Sequence, residues 1–158
     1  MLLALAVLVV VVLAAGFALG IRSQAMAPAT GLQNGQLRPC PDSPNCVCSE
    51  AYADPQHAIA PLSPGKMPLA RAWAALQQIV VRRGGHIESV DAGYLHATFT
   101  SRLFRFVDDV EARPDTEAGV IHIRSASRVG RSDLGVNRQR VEAIRQELVS
   151  TLQTSGSD

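Results

Sequence analysis

The hydrophobic and polar residues follow three patterns along the chain, and the first is an almost uninterrupted apolar run. Residues 1–21, MLLALAVLVVVVLAAGFALGI, contain no charged side chain. About 20 apolar residues are enough for a helix to cross a lipid bilayer. The run therefore predicts a transmembrane anchor, or an uncleaved signal segment, over residues 1–21.

The second pattern is helical. After Pro68, which suits the first turn of a helix, apolar residues recur every three or four positions and predict a helix over residues 68–83. Its apolar positions are Leu69, Trp73, Leu76 and Val80. A second helix is predicted near the C-terminus, and Asp133 or Asn137 would cap its start. Its apolar positions are Val141, Ile144, Leu148 and Leu152.

The third pattern, between these helices, is the alternation of apolar and polar residues that is typical of strands. Four runs show it, at residues 86–91, 94–100, 103–113 and 120–128. Consecutive strands with short connections form an antiparallel meander. The predicted fold is α+β: a four-stranded antiparallel meander covered on one face by two helices, preceded by a transmembrane helix and a proline-rich arm.

Composition predicts the remaining boundaries. Residues 22–37 are mostly small and polar, which is typical of a linker. Six of the nine prolines lie in residues 37–66, which predicts an irregular arm that wraps over the domain. We expect one α+β domain over residues 38–152 and a disordered tail over residues 153–158.

The third and fourth predicted strands carry a first polar cluster. If the turn between them centres near Thr116, Asp109 lies opposite Arg124. Glu111 then lies opposite His122, on the same solvent-exposed face. Opposite charges across strands stabilise a sheet by roughly 0.2–1 kcal/mol. These residues are therefore interpreted as a solvated ladder of charges, with a functional groove as the alternative.

On the other face of these strands, the same register places Asp108 near Ser125, with Ser127 two residues further along the chain. A buried polar group needs hydrogen-bond partners. Asp108 is therefore expected to form a structural polar lock with these serines or a nearby arginine. An active-site carboxylate is the alternative.

The stretch RSASRVGRSDLGVNRQR, residues 124–140, is the densest polar segment and holds five arginines and three serines. It leads from a strand into a helix start, where backbone N–H groups and arginines suit a phosphate or carboxylate. The candidate ligand-binding residues are Arg128, Arg131, Ser132, Asp133, Asn137 and Arg138. Structural caps and salt bridges, or catalysis, are the alternatives. There is no P-loop and no G-x-S-x-G motif, so no catalytic residue is assigned.

Three cysteines lie in the nonapeptide CPDSPNCVC, residues 40–48. One interpretation is a disulfide between Cys40 and Cys46, which would close a loop stiffened by two prolines. The others are buried thiols and a metal or catalytic site, although C-x5-C-x-C does not match the spacing of structural zinc sites. No metal and no cofactor are predicted. A disulfide favours an oxidising compartment, whereas Arg22 beside the apolar run weakly favours the opposite orientation in the membrane.

Three blocks of the sequence resemble the DUF1499 proteins of bacteria and plastids, a family without an assigned function. The blocks are CPDSPNCV, GYLHATFTSRLFRFVDDVE and GVIHIRSASRVGRSDLGVNRQRVEAIR, and the resemblance covers about residues 38–150. It implies that they form one domain, and it reinforces an association with membranes or exported compartments. Where the family usually has serine, this chain has Cys48. The resemblance therefore implies that Cys40 and Cys46 are the natural pair.

Together these observations predict a single-pass membrane protein of the envelope, tethered by residues 1–21, with its domain on the periplasmic side. A net charge of +1 and an aromatic content of 4% disfavour nucleic acid as a partner. The predicted function is non-enzymatic binding of an anionic small molecule, a lipid headgroup or a protein partner. The alternatives are a structural scaffold of the envelope and a hydrolase or transferase that uses Asp108 with Ser125, Ser127 or Asp133.

Overall fold

The computed structural model describes residues 1–50, 54–91 and 93–154. The helices are α1 (Leu2–Ala25), α2 (Leu69–Arg82) and α3 (Val136–Thr154). The strands are β1 (Leu32–Gln33), β2 (Gln36–Leu37), β3 (Cys46–Cys48), β4 (His86–Val90), β5 (Leu95–Thr100), β6 (Val107–Asp115) and β7 (Val120–Ser127). The predicted tail lies outside the described residues from residue 155 onward, and its first two residues belong to α3.

Helix α1 begins one residue after the start of the predicted membrane segment, at Leu2, and continues beyond its end to Ala25. Its 24 residues, with a mean hydropathy of 3.1 in the most apolar window, make it long and apolar enough to cross a membrane. A signal sequence near an N-terminus can have the same length and composition.

The α+β class is confirmed, but the sheet has five strands instead of the predicted four. Their order is β3-β7-β6-β5-β4, with every neighbouring pair antiparallel. The additional strand, β3, comes from the cysteine-rich arm and pairs with β7, so that Cys46 lies opposite Ala126 and Cys48 opposite Arg124. Three residues directly after a proline-containing loop are too few to show an alternating pattern.

The register of the β6–β7 hairpin differs by two residues from the prediction. Glu111 lies opposite Arg124, and Asp109 lies opposite Ala126. The prediction ended β6 before Pro114, whereas β6 runs through this proline to Asp115. The turn is therefore displaced along the chain. Because side chains alternate with a period of two, a shift of two residues leaves each of them on its predicted face.

The strand predicted to begin at residue 103 begins only at Val107. Arg105 has a φ of 61°, in the left-handed region, which interrupts an extended strand. The apolar residues that suggested strand alternation serve a different contact. The ring of Phe104 packs edge-to-face against Phe17 of α1, with 5.5 Å between centroids.

Helices α2 and α3 pack against the apolar face of the sheet. The apolar core that they form with the strands includes Trp73, Leu76, Val80, Val110, Ile123, Ile144 and Leu148. Asp133 caps α3, because its carboxylate accepts hydrogen bonds from the backbone N–H groups of Gly135 and Asn137 at 3.1 and 2.7 Å.

The prediction that the opposite, polar face of the sheet is exposed to solvent is wrong. Asp109, Glu111 and Arg124 are all buried, with at most 4% of each residue exposed. Residues 26–41, which we call the cover segment, lie over them, and the β1–β2 hairpin forms part of this segment. The structure therefore has helices on one face of the sheet and the cover segment on the other.

Candidate functional site

The candidate site lies between the polar face of the sheet and the cover segment. Its first component is the pair of Glu111 in β6 and Arg124 in β7, in which Arg124 Nη1 donates to Glu111 Oε2 at 2.6 Å. Their side chains are 0% and 5% exposed, respectively. Charges buried this deeply must be paired and hydrogen-bonded. The two residues meet because directly opposite positions of neighbouring strands project to the same face.

The other oxygen of Glu111 binds the cover segment. Glu111 Oε1 accepts hydrogen bonds from the backbone N–H of Gly31 at 2.8 Å and from the hydroxyl of Tyr94 at 2.7 Å. Burial and the negative charge of Glu111 raise the pKa of Tyr94 above its ordinary value, so its hydroxyl remains a donor. Gly31 has a φ of 98°, a conformation that favours glycine.

Asp109 forms the second charged pair on the polar face. Arg128 donates to both of its carboxylate oxygens at 2.8 Å, and His96 Nε2 lies 2.8 Å from Oδ1. Burial alone would raise the pKa of Asp109, but the hydrogen bonds and positive charge of Arg128 and His96 hold it below its ordinary value. Arg128 also donates to the carbonyl oxygen of Met26 at 3.3 Å, which connects this pair to the cover segment.

A third pair supports the far end of the cover segment. Arg113 donates to both oxygens of Glu50, at 2.7 and 2.9 Å, and the backbone N–H of Leu37 donates to the same carboxylate at 3.0 Å. Burial would raise the pKa of Glu50, but Arg113 and the Leu37 N–H lower it below its ordinary value. Two carboxylates, those of Glu111 and Glu50, and the guanidinium of Arg128 therefore hold the cover segment against the sheet.

A cavity of about 430 Å³ remains between the cover segment and the sheet. Its charged lining consists of three arginines and one aspartate: Arg38, Arg124, Arg128 and Asp109. Its apolar walls include Ala29, Pro39, Pro41 and Ala126. Cys40 also lines the cavity, and its disulfide to Cys46 fixes that wall to the edge of the sheet.

Two of these arginines have unused hydrogen-bonding capacity. Within the described part of the chain, Nε of Arg124 is a buried donor that has no hydrogen-bond partner. Buried polar groups are nearly always hydrogen-bonded. Arg38 is exposed and forms no ion pair with a described residue. Arginine presents its donors in a planar fork that matches carboxylate and phosphate groups.

The predicted ligand-binding residues do not converge on this cavity, apart from Arg128. Arg131 and Ser132 are exposed, and Asp133 caps α3. Asn137 is buried, where its amide donates to the backbone carbonyl of Asn45 and to Ser127 Oγ, both at 2.9 Å. Arg138 donates to the carbonyl oxygens of Gln56 and Ala58, and so connects α3 to the arm.

The residues of the predicted polar lock lie in one hydrogen-bonded network beneath α3. Arg140 joins them: it donates to Asp108 Oδ2 at 2.6 Å and to Ser125 Oγ at 3.0 Å. Ser125 itself donates to Asn137 Oδ1 at 2.5 Å, and Ser127 accepts from the same amide group. Asp108 and Ser125 are therefore connected through Arg140 and Asn137.

A second cavity, of about 320 Å³, lies beside α1 and brings together Asp108, Ser127 and Asp133, along with Ser132. Ser125 does not reach it. Among the described residues, no group of three or more His, Cys, Asp or Glu side chains is arranged to hold a metal ion. Cys48 lies outside the disulfide and is buried in β3.

Sequence reasoning missed the part of the site that the cover segment contributes. Gly31 and Arg38 fall in or beside a stretch interpreted as a linker, and Gly31 lies 80 residues from the glutamate it binds. One signal was available. Alternate positions of the two neighbouring strands β6 and β7 carry four charged or histidine side chains on the same face: Asp109, Glu111, His122 and Arg124. A polar segment with many backbone hydrogen-bond donors can pair with such a face.

These features define an α+β domain with an N-terminal apolar helix and a charged sheet face that is covered by its own chain. The family model described as Protein of unknown function (DUF1499) matches residues 36–148. The chain therefore belongs to the DUF1499 family, as the resemblance of its three blocks implies. No curated protein and no solved structure is significantly similar to it.

Proposed function

We propose that this protein is a membrane-anchored binding module that holds a small anionic ligand in the cavity beneath the cover segment. The observation that carries the proposal is the buried, unpartnered Nε of Arg124 in a side chain that lines this cavity. A carboxylate or phosphate oxygen would satisfy such a donor. The volume of about 430 Å³ is in the range of small-molecule sites.

The charges around the cavity favour an anion over a cation. Asp109 is already bound by Arg128 and His96, so its negative charge is compensated within the protein. Arg38 adds a positive charge with no partner among the described residues. The apolar walls favour a ligand that carries a short apolar body beside its anionic group.

The membrane side of the proposal rests on α1 and the disulfide. Gly20 and Ser23 of α1 are buried against the domain, and Ser23 Oγ accepts a hydrogen bond from the backbone N–H of Val107 at 2.9 Å. A cleaved signal peptide would remove these contacts, so we infer that α1 is retained. A disulfide favours an oxidising compartment, which supports an extracytoplasmic domain.

Thermal unfolding of the full chain in detergent would test the ligand site. The probes are inorganic phosphate, glycerol 3-phosphate and hexanoate, which separate phosphate from carboxylate recognition. A ligand that binds only the folded state raises the melting temperature with its concentration. We expect this rise in the wild type and in Arg131→Gln, an exposed arginine away from the cavity, but not in Arg38→Gln.

Two outcomes would overturn the anion proposal. One is a melting temperature that none of the three anions raises. The other is an equal rise in Arg38→Gln and in the wild type. Arg38 is exposed, so its replacement leaves the buried pairs intact and the variant is expected to fold.

A second candidate function is hydrolysis or group transfer at the second cavity, because Asp108, Ser127 and Asp133 all line it. Against it, Asp108 is bound by Arg140, and none of the described histidines lines this cavity to activate a serine. Hydrolysis of p-nitrophenyl acetate or p-nitrophenyl phosphate, abolished in Ser127→Ala, would support this function. Equal rates for the two proteins would exclude it for these substrates.

A further inference from the structure

The connection between β5 and β6, residues 101–106, lies against α1. This connection has the sequence SRLFRF, and we call it the β5–β6 loop. The Phe104 ring contacts Phe17 of α1 at 5.5 Å between centroids, and Phe106 packs beside Phe104 at 5.7 Å. The aromatic residues of the loop therefore extend the apolar surface of the helix sideways.

The contact is close because small residues of α1 face the loop. A Cβ atom on Gly20 would lie 1.7 Å from the backbone oxygen of Phe104, and one on Gly16 would lie 2.5 Å from its ring. Ser23 hydrogen-bonds to the backbone of Val107, directly after the loop. The position of the loop along the helix is therefore fixed by backbone contacts and not only by flexible side chains.

This position is within the apolar part of the helix. The apolar run of α1 ends at Ile21, and Arg22 is its first charged side chain. Gly16, which contacts the Phe104 ring, precedes Arg22 by six residues, or about 9 Å at 1.5 Å per residue. If α1 spans a bilayer, the tip of the loop therefore lies deeper in the bilayer than Arg22, on the side of the hydrocarbon core.

The exposed side chains of the loop have the chemistry of a membrane interface. Leu103 is 61% exposed, although it is a large apolar residue. Arg102 and Arg105 on either side of it are exposed as well. Long basic side chains at this depth can extend their charged groups to lipid phosphates while their stems and apolar neighbours remain in the acyl region.

We propose that the β5–β6 loop is inserted into the lipid bilayer beside α1, so that the domain sits directly on the membrane surface in one orientation. The partner of this surface is lipid. The inference rests on the proposed membrane span of α1. It adds a second membrane contact far along the chain from the first, and it places the second cavity, which Leu19 of α1 and Phe106 of the loop both line, close to the lipid headgroups.

Tryptophan fluorescence in vesicles that carry brominated acyl chains tests the insertion, because bromine quenches only nearby indoles. The full chain would be reconstituted with Leu103→Trp as the probe. Val10→Trp, within α1, reports on the span itself. Val90→Trp is the matched control: it is another exposed apolar residue, but it pairs with Leu95 at the other end of β5, about 17 Å from Thr100 at 3.4 Å per residue. Trp73, the single native tryptophan, is 8% exposed and gives a constant background.

We expect the Leu103→Trp probe to be blue-shifted and to lose most of its fluorescence in brominated vesicles, as the Val10→Trp probe does, while Val90→Trp is unaffected. Quenching of Val10→Trp without quenching of Leu103→Trp would overturn loop insertion and leave the anchor in place. Absence of quenching at both positions would overturn the loop insertion together with the span of α1. Equal quenching at Leu103→Trp and Val90→Trp would show that the domain has no single orientation on the membrane.

Discussion

Glu111 and Arg124 form a buried ion pair across β6 and β7, with 2.6 Å between Oε2 and Nη1. The same glutamate accepts a hydrogen bond from the backbone of Gly31 in the cover segment. One carboxylate therefore joins the sheet, the cover segment that follows α1 and an arginine that lines the proposed ligand cavity. The stability of the domain and the shape of the proposed site depend on the same group.

Replacement of Glu111 by glutamine should destabilise the domain strongly. The amide is similar in size but leaves Arg124 charged and buried without its counter-ion, and removing one partner of a buried pair costs about 3–5 kcal/mol. Urea unfolding of the full chain in detergent measures the loss. The control is Glu147→Gln, whose partners Arg82 and Arg83 are on the surface; it should lose less than about 1 kcal/mol. Similar losses in both variants would contradict the assigned role of Glu111.

Acid should weaken the fold through Asp109. Its pKa in the folded protein lies below its ordinary value because Arg128 and His96 outweigh the effect of burial. A lowered folded-state pKa contributes stability above the unfolded-state pKa of about 4, and this contribution is lost as the pH falls toward the folded-state pKa. The free energy of unfolding of the wild type should therefore approach that of Asp109→Asn as the pH falls below about 4. A constant difference between the two proteins over that range would contradict this linkage.

Replacement of Gly20 by leucine should separate α1 from the β5–β6 loop. The Cβ atom of the leucine would lie 1.7 Å from the backbone oxygen of Phe104. A backbone atom cannot avoid this clash by a change of rotamer. Overpacking of this kind costs about 1–3 kcal/mol. We expect a lower melting temperature for Gly20→Leu and an unchanged one for Ala18→Leu, at an exposed position of the same helix. Equal melting temperatures for Gly20→Leu and the wild type would show that the packing of α1 does not stabilise the domain.

The sequence patterns predict the three helices, the strands β4 to β7 and the face on which their residues lie, but they do not predict β1, β2 or β3. Asp109 and Glu111 share a face with Arg124 in both the predicted and the observed register, because a displacement of two residues preserves the alternation. The register itself depends on the position of the turn. Pro114 suggests that the turn begins there, but β6 continues through this proline to Asp115. A proline is tolerated in a strand where no ladder hydrogen bond needs its missing N–H group.

The environment of the polar face could not be predicted from the strands alone. Alternation of charged residues normally indicates a solvent-exposed face, and the polar residues of the linker carry no periodic pattern that would indicate pairing. The contact of Gly31 with Glu111 joins positions 80 residues apart. It forms because the end of α1 is fixed against the β5–β6 loop, so that the following residues must pass over the sheet. Local patterns do not encode such a tertiary path.

The disulfide links the compartment of the protein to the structure of its proposed ligand site. Cys40 lines the cavity and Cys46 belongs to β3, so reduction would release one wall of the cavity from the sheet. Closing a loop this short stabilises the fold by about 2–3 kcal/mol in the chain-entropy description. We expect the Cys40→Ser and Cys46→Ser double variant to lose about that much stability and to bind phosphate or hexanoate more weakly.

Mass spectrometry of unreduced protein, denatured in the presence of an alkylating reagent, should find a single modified thiol, Cys48. Modification of all three thiols in freshly isolated protein would remove the argument for an oxidising compartment, and the extracytoplasmic placement of the domain with it.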